Sequence, residues 1–62
     1  MTEREILKRM LRNTVGSVDL VSSVAVWAEE VPIPGWLAKE IGRVLLALQH
    51  IEAQLKLEVD SV

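Results

Sequence analysis

His50 is the single histidine of the chain, so an imidazole acting as general base, metal ligand or pH-responsive group must be this one. The letters allow a triad of Ser22 or Ser23, His50 and Asp19. Nothing around the serines resembles a nucleophile elbow or an oxyanion loop, however, and His50 stands one place before Ile51, at the flank of an apolar row. The carboxylates Glu29, Glu30 and Glu40 could in principle hold a cation or work as an acid–base pair. No E-x-x-H motif accompanies them, and the chain has no cysteine to supply a thiolate ligand. They read as solvated charges near helix ends. The sequence therefore predicts no catalytic residues, no metal, no cofactor and no enzymatic activity.

The remaining candidate chemistry is basic. Arg4, Lys8 and Arg12 recur at helical spacing, with Arg9 beside them. Such a face could contact nucleic-acid phosphates, and this is the alternative reading, as a dimeric nucleic-acid-binding regulator. Against it stand a net charge of −2, no aromatic residue nearby to stack on bases, and no helix-turn-helix spacing. The first expectation is instead a salt-bridged face, with these cations lying against Glu52, Glu58 and Asp60 from the other end of the chain.

The elements that position these groups are helical. Thr2-Glu3-Arg4-Glu5 has the T-x-x-E form of a capping box, with Met1 and Ile6 at the positions of a hydrophobic staple. Helix 1 is expected over about 3–30. Its seam is Leu7, Leu11, Thr14, Val18, Val21, Ala25 and Ala28, in steps of four and three. A second stripe runs beside it through Ile6, Met10, Leu20, Val24, Trp27 and Val31. Gly16 and its β-branched neighbours make a soft spot where the helix could kink, yet the register passes through unshifted, so a continuous helix is expected.

Val31-Pro32-Ile33-Pro34-Gly35 ends that helix, because the residue before a proline is pushed out of the α region. The turn is expected over 31–34, with Pro34 in the first turn of the next helix. Helix 2, about 35–58, carries a coiled-coil-like seam of Leu37, Ile41, Val44, Leu48, Ile51 and Leu55, with Leu45 widening its face. Gly42 is read either as a tolerated surface glycine or as a point of close approach by another helix.

So short a turn makes the helices antiparallel neighbours, and 1–62 is one helical-hairpin domain of the all-α class. Half of the 62 residues are apolar, more than two helices can hide from water. A chain this small ordinarily adds a disulfide, a metal or a partner. Self-association into a homodimeric four-helix bundle is the expectation. Ile6, Met10, Leu20, Val24, Trp27, Val31, Ile33, Trp36 and Leu45 are the expected oligomer or partner interface, with the tryptophans as anchors. No signal peptide or spanning segment is visible, so a cytoplasmic location without membrane insertion is expected. The functional expectation is a small non-enzymatic protein–protein interaction module: an adaptor, inhibitor or accessory protein.

Overall fold

The computed structural model describes all 62 residues and is an antiparallel hairpin of two helices packed against each other, α1 (Glu3–Glu30) and α2 (Gly35–Ser61). It measures 46 × 14 × 13 Å. The length is set by 28 residues of α1 at about 1.5 Å each.

The start of α1 follows the expected box in one half only. Thr2 is extended and its hydroxyl accepts from the Glu5 amide at 3.2 Å. The return contact differs, because the Thr2 hydroxyl donates to the Glu5 carboxylate at 3.2 Å. Helix α1 then runs unbroken through Gly16. Three of its hydroxyls fold back onto carbonyls one turn earlier: Thr14 onto Met10, Ser17 onto Asn13 and Ser23 onto Asp19. These bonds satisfy polar groups that would otherwise compete for the backbone.

At its C-terminus, Val31 is extended at φ −130°, as the proline after it demands. Pro34 is the N-cap of α2 rather than a residue of its first turn. Its carbonyl accepts from the Leu37 and Ala38 amides, and no side chain caps the helix. Helix α2 extends past residue 58 to Ser61, whose hydroxyl bonds the Leu57 carbonyl at 2.9 Å.

The inward row of α1 is the expected one: Leu7, Leu11, Thr14, Val18, Val21, Ala25 and Ala28 are all half-buried. In α2 the inward row is rotated. Leu37, Ile41, Leu45, Leu48, Glu52, Leu55 and Val59 turn inward, whereas Val44 and Ile51, expected in the seam, are exposed. Either row of α2 carries one glutamate. The expected row runs on into Glu58, while the observed row passes through Glu52 and closes on Val59. Lys56, one turn on, bonds the Glu52 carboxylate at 3.2 Å and makes its position tolerable. Leu55 and Val59, each 8% exposed, are the only buried residues, and no side chain is fully buried.

In heptad letters, α1 has Leu7, Thr14, Val21 and Ala28 at d, with Leu11, Val18 and Ala25 at a. Helix α2 has Leu45, Glu52 and Val59 at a, with Ile41, Leu48 and Leu55 at d. One groove is lined by Ala25, Ala28, Ala38 and Ile41, another by Val21, Ile41 and Val44, so near the turn Ala25 and Ala28 lie by Ala38 and Ile41, and the heptad letters carry that register along the helices. Leu7 is then level with Val59, Leu11 with Leu55, and Thr14 with Glu52. That last pair is one polar layer in an otherwise apolar seam.

Candidate interaction face

A hairpin of this register has two flanks between its helices, and they differ in chemistry. On one flank lie the g positions of both helices: Met10, Ser17, Val24 and Val31 from α1, and Leu37, Val44 and Ile51 from α2, with the carboxylates Glu3 and Glu58 at the g positions of the end away from the turn. The adjoining c positions of α1 add Ile6, Asn13, Leu20 and Trp27. A continuous apolar groove near the turn is lined by Leu20, Val24, Trp27, Val31, Ile33 and Leu37, with Ile41 at its floor. Leu20 is 71% exposed and Trp27 72%. The other flank, at the e positions, carries Lys8, Val15, Ser22 and Glu29 opposite Gly42, Gln49 and Lys56. Its groove is lined mostly by small residues, with Gly42 and Glu29 beside them. The flank with the g positions is thus apolar near the turn, and the other flank mixes small, polar and charged residues.

Six of the expected interface residues, Ile6, Met10, Leu20, Val24, Trp27 and Val31, are exposed and fall on one stripe of α1. Ile33 is half-buried where the turn closes the groove. Leu45 lies half-buried in the inward row of α2, between the helices of its own chain. Trp36 is 67% exposed, at an f position outside the groove. Sequence reasoning missed Leu37, Val44 and Ile51 as members of the face. Choosing the row that ends on Val59 instead of Glu58 would have found them.

The expected salt-bridged face does not form. The two ion pairs are Arg43–Glu40 at 3.0 Å and Lys56–Glu52 at 3.2 Å, both within α2. Arg4, Lys8, Arg9 and Arg12 are exposed and bond no carboxylate. The physical reason is local. Glu52 is taken by the lysine one turn away on its own helix, a pairing the helix geometry favours over a contact across it. Lys8, Arg9 and Arg12 occupy e, f and b positions, away from the apolar face.

His50 lies at an exposed f position and makes no hydrogen bond to Ser22, Ser23 or Asp19. The Ser23 hydroxyl is already committed to the Asp19 carbonyl at 3.1 Å. Nowhere do three or more histidine, aspartate or glutamate side chains gather closely enough to hold a metal ion. No helix is long and apolar enough to cross a membrane. A Cβ added at Gly42 would meet nothing within 4 Å, so no part of the hairpin itself approaches that glycine closely.

Comparison with known proteins finds no matching family, no matching curated protein and no matching solved structure.

Proposed function

We propose that this chain is a small non-enzymatic protein–protein interaction module that works as a self-associating helical hairpin, pairing into a four-helix bundle. The observation that carries this reading is the accessible surface. A compact monomer of 6.9 kDa exposes roughly 4000 Å². The hairpin exposes 4875 Å², and the apolar side chains it leaves exposed include Leu20, Val24, Trp27 and Val31, which line one groove. With only Leu55 and Val59 buried, the isolated hairpin has little core, and covering the face adds one. The turn end, with Trp27, Val31, Ile33 and Trp36, is the proposed dock for a further protein in an adaptor, inhibitor or accessory role.

Sedimentation at micromolar concentration tests the reading. A particle of twice the 6.9 kDa chain mass is expected, reduced to a monomer by Leu20→Asp. A folded wild-type monomer under these conditions overturns it.

A second reading keeps one observation in its favour: Arg4, Lys8, Arg9 and Arg12 are exposed and unpaired by acids, hence free for phosphates. If nucleic acid is the partner, log K falls against log salt with a slope of about −3 or steeper, and neutralising the four residues flattens it. No binding to generic DNA or RNA at low salt removes this reading.

A further inference from the structure

The exposed stripe of α1 has a symmetry of its own. From Ile6 to Val24 its members are Ile6, Met10, Asn13, the half-buried Ser17, Leu20 and Val24, in alternating steps of four and three, and Trp27 and Val31 continue it beyond the symmetric part. Any seam so spaced is symmetric in distance. This one is also symmetric in chemistry about position 15: a polar pair at the centre, then an apolar residue on each side, then another. Read backwards, the stripe presents the same order of polar and apolar positions. A surface with that property is complementary to a reversed copy of itself, which is what a two-fold axis across a helix requires.

We infer that the occupant of the face is a second copy of this chain, with α1 laid antiparallel on α1 and the two turns at opposite ends. The inference rests on the self-association reading above and adds its orientation and register. Asn13 of one copy lies over Ser17 of the other, Met10 over Leu20, and Ile6 over Val24. The Ser17 hydroxyl donates to its own Asn13 carbonyl at 3.0 Å and keeps lone pairs to accept from the amide of the other copy's Asn13. A single polar layer in an apolar seam sets register at some cost in stability.

The area suits a permanent dimer. Two free hairpins expose 4875 Å² each, whereas a compact protein of twice the mass exposes roughly 6600 Å². A dimer as compact as that would bury about 3100 Å², in the range of obligate homodimers. The other two-fold arrangement, with both turns at one end, lays α1 on α2 of the second copy. It sets Trp27 beside the level of Glu40, and the outward stripe of α2 also carries Gln54 and Glu58. The arrangement of α1 on α1 sets Ile6 over Val24 and Met10 over Leu20, apolar against apolar, and confines its polar contacts to the Asn13–Ser17 layer and Glu3. It brings Trp27 over the first turn of the second copy, near Glu3, and leaves Val31, Ile33 and Trp36 uncovered for a further partner.

The chain has no cysteine, so introduced ones report without interference. Met10→Cys and Leu20→Cys variants are made singly, checked for helicity by circular dichroism, mixed and mildly oxidised. A covalent dimer is expected in the mixture. Neither variant alone should give one, because levels 10 and 20 are roughly 15 Å apart along the helix, beyond disulfide reach. If wild type sediments as a dimer but this product does not form, the arrangement is overturned. Cross-linking of Met10→Cys to Gln54→Cys instead overturns it in favour of turns at one end, leaving self-association intact. A wild-type monomer removes the self-association reading and this inference together. Asn13→Leu with Ser17→Leu supplies an independent readout. About tenfold tighter association is expected, together with Met10→Cys cross-linking to itself as the register loosens; cross-linking that stays specific to Leu20→Cys overturns the assigned role of the polar layer.

Discussion

Leu55 is 8% exposed and shares with Val59 the only buried positions in the hairpin. Truncating it removes most of what core the chain has by itself. We expect Leu55→Ala to cost about 2 kcal/mol, the low end for a buried leucine because a thin layer collapses readily. Chemical denaturation followed by circular dichroism measures it. Gly16 is the opposite case. It sits in mid-helix without a positive φ, and an added Cβ meets nothing within 4 Å. Gly16→Ala should therefore stabilise by about 1 kcal/mol, the propensity difference alone. A loss of stability would mean that something outside the hairpin approaches this glycine.

At the scale of the helix, α1 and α2 were not equally legible. The inward row of α1 can be read from the letters because only Thr14 interrupts its apolar residues, whereas the neighbouring stripe is broken at mid-helix by Asn13 and Ser17. Its continuity through Gly16 is legible for the same reason. In α2, two adjacent rows compete, through Val44 and Ile51 or through Leu45 and Glu52, and a rotation of about 100° exchanges them. Spacing favours the first. The second wins because Val59 extends it another turn and because Lys56 pairs with Glu52, and neither term is visible to periodicity. The absence of ion pairs across the helices has the same origin, since a lysine on the same helix reaches Glu52. The apolar face of α1 was legible as a stripe; that α2 contributes Leu37, Val44 and Ile51 to it follows only from the rotation. The polar layer of Thr14 and Glu52 gives a test here. Glu52→Leu should raise the stability of the hairpin by about 1 kcal/mol, as half-burial of a leucine replaces that of a carboxylate. Thermal unfolding at fixed protein concentration reads the change.

For the whole molecule, the distinguishing property of a self-associating hairpin is that folding depends on concentration. If the apolar face is covered by a second copy, the melting temperature rises with protein concentration, because mass action favours the associated folded state. A tenfold increase should raise it by several degrees in a chain this small. Leu20→Asp, whose change lies on the exposed face, should lower the melting temperature and abolish its concentration dependence while leaving the helices formed at high concentration. A melting temperature independent of concentration in wild type would show a hairpin that stands alone. Loss of helix in Leu20→Asp would show that Leu20 serves its own chain.

The dimensions of 46 × 14 × 13 Å describe a rod about three times as long as it is wide, with every helical N–H bond nearly parallel to its axis. Such a body tumbles slowly end over end and fast about its length. A second copy laid alongside adds width at the usual helix spacing of about 8–10 Å and little length. Joining turn to turn would instead double the length. The hydrodynamic friction of the particle, relative to a sphere of its mass, therefore falls on side-by-side pairing and rises on end-to-end pairing. Frictional ratios across a dilution series distinguish these modes of assembly without any substitution in the chain.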